Sequence, residues 1–460
     1  MKAEAQQDAI TDFAGRYQDG LGNPVILDLL RRRPPRLRSG RHGPLLPDRP
    51  NLPADLLALV QDLDGTTLCI QGPPGSGKTH NAAAVIVELV SSGKRVGVCS
   101  NSHRAIEKLL VSVCETSRVS GKPIDVLKAG GADTGDQRMR HCDNNKVAEH
   151  LGTEALVVGA TAWAFARPEL RDVFDYIFVD EAGQVSLANA VAVGMATQNL
   201  ILIGDQMQLA QPSKGTHPAD SGLSCFHYYL KDCATVPPDR GVLLPLTWRL
   251  HPDICRFISD TAYEGRLECV PATSQRCVEP PADARLLTRG SGIVMLDVEH
   301  DGNTYDSPEE VNRIAELVDE LRRAMFRDGD EPARGFDPGR DLLVVAPYNA
   351  QVRRLRERLP DIRIASVDKF QGQEASVVIV SMCASSLDET PRGAGFLLSP
   401  NRLNVAVSRA QCLAFVVSSP RLIRTRPKSV KEIELLNLFC RLRFYASELS
   451  SQIQSGAVRV

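Results

Sequence analysis

Gly72-Pro73-Pro74-Gly75-Ser76-Gly77-Lys78-Thr79 has the spacing Gly-x-x-x-x-Gly-Lys-Thr. Glycines at that spacing let backbone N–H groups close around phosphate oxygens, and a helix beginning at the end of the loop adds a favourable dipole. Lys78 is placed to neutralise β- and γ-phosphate charge, and the Thr79 hydroxyl to ligate Mg²⁺. A second pair of chemical groups, Asp180 and Glu181, follows the apolar run Tyr176-Ile177-Phe178-Val179. Two carboxylates at the end of a buried strand suit a nucleotide hydrolase: Asp180 to hold Mg²⁺, Glu181 to orient and deprotonate the attacking water. Alone, the pair reads equally well as solvated acids in a turn. With the loop upstream, it reads as the second half of a P-loop NTPase site.

Such a loop works only where a strand delivers it and a helix leaves it. Residues 67–71 are a short apolar strand, and 82–90 a nearly all-apolar helix. Strands are expected at 95–99, 156–159, 176–179 and 200–203, with a helix at 105–113. Apolar runs separated by helices indicate a parallel sheet covered on both faces. A second α/β rhythm follows, with strands at 292–298, 342–346, 376–382 and 413–417. Ser307-Pro308-Glu309-Glu310 reads as a capping box with Pro at the first helical position, opening a helix whose buried face is Val311, Ile314, Ala315, Val318 and Leu321. Residues 327–340 and 387–395 read as surface loops. Residues 1–53 look peripheral. Their run Arg31-Arg32-Arg33-Pro34-Pro35-Arg36-Leu37-Arg38 cannot be one helix. It is either a solvated linker, or a phosphate contact or interdomain strap.

At about 150 residues per domain, 460 residues suggest two to three domains. The net charge is −2, so nucleic-acid binding has to come from a local groove and not from bulk charge. Arginine outnumbers lysine, 42 to 12, which suits phosphate contacts but equally reflects GC-rich coding. The 12 cysteines include no Cys-x-x-Cys pair, which argues against zinc ribbons and for reduced thiols in a cytoplasmic protein. No apolar window is long enough for a membrane span, and the first residues lack a signal-peptide core. No Asn-Lys-x-Asp motif is present, which disfavours a GTPase switch.

A series of motifs in fixed order resembles superfamily 1 helicases of the 5′→3′ group, which includes the nonsense-mediated-decay helicase and nuclease-linked replication helicases. The series runs through the loop at 72–79, Cys99-Ser100-Asn101-Ser102-His103, Val158-Gly159-Ala160-Thr161, and Asp180-Glu181-Ala182-Gly183-Gln184. Gly204-Asp205-Gln206-Met207-Gln208-Leu209, Thr247-Trp248-Arg249-Leu250-His251-Pro252 and Ala346-Pro347-Tyr348 follow. It closes with Val367-Asp368-Lys369-Phe370-Gln371-Gly372-Gln373-Glu374 and Asn401-Arg402-Leu403-Asn404-Val405-Ala406-Val407-Ser408-Arg409-Ala410.

The resemblance covers about residues 54–425. It implies an α/β fold of two RecA-like parallel-sheet domains, at 54–243 and 244–425, with ATP and Mg²⁺ between them and single-stranded nucleic acid across the top. A small insertion is expected at about 114–155, at most a small barrel or hairpin, and a helical segment at 426–460. By position, Gln208 senses the γ-phosphate, Arg249 and Arg409 reach it, Trp248 stacks on adenine, and Glu374 accepts from ribose. Surface ion pairs for the arginines and core packing for Trp248 are the alternatives. Gln61 is the nearest, weakly placed match to the family's upstream glutamine. Asn101, Ser102, Thr161, Tyr348 and Ser366 are the nucleic-acid candidates, with helix caps and turn formers as the other reading. The implied function is an ATP-dependent 5′→3′ helicase or translocase, on DNA rather than RNA. An ATP-gated single-strand clamp and an RNA helicase are the alternatives. The chain also resembles the motor part of bacterial fusions with a RecB-like nuclease, which makes such a nuclease, in cis or in trans, a conceivable partner.

Overall fold

A computed structural model of the chain describes residues 4–133, 135–152, 156–209, 211, 215–370, 372–388 and 390–454. Gln371 of the 367–374 motif and residues 455–460 of the expected C-terminal segment lie outside the described residues. Backbone contacts divide the chain into two compact units. The first holds residues 1–72, 77–206 and 210–244; the second holds 73–76, 207–209 and 245–460.

In the first unit, β1 (Thr67–Gln71), β2 (Val96–Cys99), β3 (Asp125–Ala129), β4 (Arg140–Cys142), β5 (Leu156–Ala160), β6 (Phe174–Val179), β7 (Thr197–Gly204) and β8 (Gly241–Leu243) build one sheet. Its order is β4-β3-β5-β2-β6-β7-β1-β8. Every pair is parallel. All five residues of β1 are buried, as a strand covered on both faces requires. Parallel pairing carries all the loops that leave the strands' carboxyl ends to one edge, so β1 and β6 deliver the phosphate loop and the acidic pair to the same side. The described part of 114–155 stays within the upper bound set from the sequence. It makes neither barrel nor hairpin: β3 and β4 pair in parallel and extend the main sheet.

The N-terminal residues also depart from the linker reading. Helices α1 (Glu4–Gln18) and α2 (Pro24–Leu30) precede α3 (Ala54–Gln61), α4 (Lys78–Ser91) and α5 (His103–Ser120). Ile26 and Leu29 of α2 are fully buried, each worth about 1.5–3 kcal/mol of burial. Asn23 caps α2 by accepting from Val25 N–H at 2.9 Å. The arginine run is a strap within this unit. Arg32 lies 4.0 Å from the ring centre of Tyr228 and pairs with Asp220 at 2.6 Å. Arg36 pairs at 2.8 Å with Asp28, a carboxylate that is itself buried. An acid buried beside an arginine and the Thr66 hydroxyl (2.7 Å) is why this segment is ordered.

In the second unit, β9 (Leu246–Thr247) pairs with β10 (Glu268–Cys269). β11 (Cys277–Glu279), β12 (Gly292–Asp297), β13 (Met325–Arg327), β14 (Arg334–Gly335), β15 (Leu342–Ala346), β16 (Arg363–Ser366), β17 (Ala375–Ser381) and β18 (Ala410–Ser418) follow. The main sheet is β12-β18-β17-β15-β16, all parallel. The segment read as a loop at 327–340 instead contains β14 and the helical turn Pro338–Asp341. The helix Val430–Gln454 lays Leu435, Leu436, Phe439 and Leu442 into the core of this unit. Two parallel-sheet P-loop-type domains, RecA-like in architecture, are therefore the fold. Among the described residues no helix is long and apolar enough to cross a membrane.

The capping box forms by halves. Ser307 Oγ accepts from Glu310 N–H at 3.1 Å, as expected. The Glu310 carboxylate does not return to Ser307, whose N–H goes to Gln351 Oε1 at 2.9 Å. It points inward and accepts from Ser381 Oγ (2.6 Å) and Cys383 N–H (3.0 Å), with His300 Nε2 at 3.2 Å.

Candidate functional site

The loop at 72–79 leaves β1 directly and runs into α4, so its backbone is set by a buried strand at one end and a helix start at the other. Gly75 and Gly77 sit at φ +72° and +75°, a region open to glycine at little cost. Lys78 Nζ donates to Gly72 O at 2.5 Å, which folds the lysine over its own loop. Thr79 is half-buried in the first turn of α4. Gly72, Pro73 and Pro74 are buried. Pro74 O accepts from Thr247 Oγ1 at 2.8 Å.

Asp180 and Glu181 follow β6. The Asp180 carboxylate accepts from Glu181 N–H at 2.9 Å, and Glu181 holds a left-handed φ of 54°. A non-glycine residue in that region is strained, and such strain concentrates at functional sites. The acidic turn fits against the end of β7 only because two glycines meet there: a Cβ on Gly183 would lie 2.8 Å from Asp205 O, and one on Gly204 2.8 Å from Gly183 N. Gly183→Ala is therefore expected to push the acidic turn off the sheet, costing about 1–3 kcal/mol of stability and at least tenfold in nucleotide turnover. Thermal denaturation and phosphate-release kinetics check it; wild-type values for both would remove the turn from its assigned place.

Three features fit a nucleoside triphosphate with a divalent cation. Ser76 Oγ is buried and has no hydrogen-bond partner among the described residues. The positive-φ glycines leave a cradle without side chains. The Asp180 carboxyl is pushed up to about 7, first by burial and then by Glu181, with Lys78 opposing. A carboxyl in that position needs a cation to stay ionised at neutral pH. Thr79 and Asp180 are the residues that would hold it.

In the second unit, Trp248 is 64% exposed, which rules out the core-packing alternative. Arg249 and Glu374, read from the sequence as doing separate jobs, form an ion pair at 2.5 Å. The other Glu374 oxygen accepts from Gln411 Nε2 at 2.9 Å. Arg409 is buried, donating to Gln373 O at 2.9 Å, so here it braces the backbone of the 367–374 motif. Gln208 is half-buried; its backbone carbonyl accepts from Asn401 Nδ2, and the neighbouring Met207 O accepts from Asn404 Nδ2 at 2.8 Å. Gln61 is exposed at the end of α3.

The nucleic-acid candidates separate. Ser102 and Thr161 occupy helix N-cap positions, yet neither side chain makes a capping hydrogen bond, which leaves both hydroxyls uncommitted to the helix ends. They follow β2 and β5, which are paired through Cys99 and Ala160, and so stand on one edge of the first sheet. Asn101 is exposed beside them, its Nδ2 donating to Gln184 O at 2.5 Å. Ser366 is half-buried at the end of β16, paired with Ala346. Tyr348 is a correction: it is only 8% exposed, packed in the core of the second unit under Phe396, with its hydroxyl pushed up to about 12 by burial. Its ring is not a surface contact. Of the residues gathered about it, Arg392 and Phe396 carried no distinct signal, Arg392 lying in the stretch read as a surface loop, and Arg402 stood only as part of the 401–410 motif.

Two family models, each described as an AAA domain, match residues 57–221 and 223–421. The chain is similar to the regulator of nonsense transcripts 1 homolog of Neurospora crassa, 25% identical over 435 residues (82% of this chain, 38% of that protein). The homolog of the same name in Drosophila melanogaster is 28% identical over 453 residues (86% and 36%). DNA-binding protein SMUBP-2 of Mesocricetus auratus is 26% identical over 424 residues (77% and 41%). The chain thus spans about two-fifths of the length of these relatives.

Proposed function

We propose, from the premise that this chain belongs to the superfamily 1 helicases, in the group of the nonsense-transcript regulators, that it hydrolyses ATP to move along single-stranded nucleic acid. The observation that carries the reading is the buried Asp180 carboxylate after β6, on the same carboxyl edge of one parallel sheet as the glycine loop after β1, whose Ser76 hydroxyl has no partner among the described residues. Mg²⁺, when bound, supplies charge to the transferring phosphoryl group. Lys78 holds the β- and γ-phosphates, and Glu181 orients the attacking water and takes its proton. Gln208, Arg249 and Arg409 are assigned to the terminal phosphoryl, Trp248 to adenine and Glu374 to ribose. For Arg249 and Glu374 this assignment requires their mutual ion pair to open when nucleotide arrives. Asn101, Ser102, Thr161 and Ser366 contact backbone phosphates, which position a strand without reading its sequence. We assign 5′→3′ movement, DNA in preference to RNA, action in the cytoplasm, and a RecB-like nuclease as the partner in cis or in trans.

ATPase rates with single-stranded DNA against single-stranded RNA test the substrate; equal rates with and without either polymer would end the motor reading. Arg409→Ala is expected to lower turnover by about 10³-fold or more with nucleotide affinity near wild type. Unchanged turnover would confine Arg409 to bracing the 367–374 backbone. A second reading, an ATP-gated clamp that grips strands without parting duplexes, is favoured by one observation: β3 and β4 extend the sheet, leaving no separate strand-prying module in the described part of 114–155. Strand displacement on 5′- and 3′-tailed duplexes, run beside streptavidin displacement, separates the two readings and gives the direction.

A further inference from the structure

We propose that Arg392, Phe396 and Arg402 form a platform that grips the phosphodiester backbone of the single strand. The inference rests on the strand-binding part of the function proposed above. Phe396 lies half-buried in the short helix Ala394–Leu397, and its ring stacks on Tyr348 at 5.4 Å with 29° between the planes. The guanidinium carbon of Arg392 is 3.9 Å from the Phe396 ring centre, and that of Arg402 4.1 Å. Two cations gathered at one ring repel each other, and cation–π attraction offsets part of that cost. One carboxylate, Asp368, stands 3.6 Å from Arg402. Arg392 makes no hydrogen bond or ion pair with any described residue and is exposed. Among the described residues the group therefore carries two cations and one carboxylate.

The stacking also prepares Arg392 to bind. A guanidinium held against a ring has lost much of its rotamer freedom, yet its five N–H donors lie in its own plane and remain directed outward. That planar fork matches the two free oxygens of a phosphodiester. Beneath the ring, the Tyr348 hydroxyl is buried with no hydrogen-bond partner among the described residues, a polar group under an otherwise apolar floor. The location is apt. Tyr348 follows β15 by two residues, and Ser366 ends the adjacent β16, so the platform stands at the carboxyl edge of a parallel sheet, where such sheets take their ligands. Tyr348 is thus the floor of the contact, and the arginines are its surface.

The test is fluorescence anisotropy with labelled oligo(dT) and oligo(U) over a series of NaCl concentrations. For Arg392→Ala, affinity for both polymers is expected to fall roughly fivefold at low salt, and the slope of log K against log salt to shrink by about 0.7, the value for one lost single-strand phosphate contact. Arg392→Lys is expected to keep the slope at intermediate affinity, since it keeps the charge and loses the fork. Phe396→Leu, which retains apolar packing on Tyr348, is expected to weaken binding because the arginines are no longer held. Wild-type affinity and slope in Arg392→Ala, with an unchanged unfolding midpoint, would overturn the platform while leaving strand binding intact. Failure of the wild-type chain to bind either polymer would sink the strand-binding reading itself, and the platform with it.

Discussion

Lys78→Ala is expected to lower ATP turnover by at least about 10³-fold with little change in thermal stability. The side chain is half-buried at the start of α4 and donates to Gly72 O, a carbonyl that water can satisfy once the lysine is gone. Its chemical role is harder to replace. Lys78 is the strongest charge that offsets the upward push on Asp180, so removing it takes positive charge from the phosphate cradle and from the carboxylate meant for the cation. Phosphate release under saturating ATP and Mg²⁺ reads the effect, with a labelled nucleotide to follow binding separately. Turnover within about tenfold of wild type would mean that the loop does not perform the chemistry its spacing implies.

Glu310→Ala is expected to cost about 3–5 kcal/mol in chemical denaturation. Both members of the His300–Glu310 pair are fully buried. Deleting the carboxylate strands the Ser381 hydroxyl, the Cys383 N–H and the His300 ring in a space that water does not readily fill. Glu310→Gln, which keeps one acceptor, is expected to lose less. A loss under about 1 kcal/mol for the alanine variant would show that the pocket relaxes around the change. Because this network ties the start of the helix Pro308–Leu321 to the end of β17, its loss loosens the second unit.

These contrasts show what the order of residues could reveal. Strands β1 and β15 coincide with the runs read at 67–71 and 342–346, because a strand buried on both faces is continuously apolar and bounded by turn residues. The phosphate loop and the acidic pair were legible because their chemistry is local. What escaped depends on distant partners. The Glu310 side chain bonds to a residue 71 positions away, and nothing in Ser-Pro-Glu-Glu distinguishes that from a capping box. Arg32 bonds to Tyr228 O across 196 positions, so a run that looks like solvated linker is a strap. Tyr348 reads as a nucleic-acid candidate after a strand end, since the ring that covers it arrives only with the helix Ala394–Leu397.

The seating of α2 bears on how this chain could be recombined with other modules. Thr67 Oγ1 in β1 donates to Val25 O at 3.0 Å, and the Tyr228 and Tyr229 hydroxyls reach back to Leu30 O and Arg33 O at 2.8 and 2.6 Å. The phosphate-loop strand therefore leans on residues encoded well before it. A chimera spliced just ahead of the ATP motifs would uncap the sheet that holds them, so the workable junction for a graft lies upstream of Asn23.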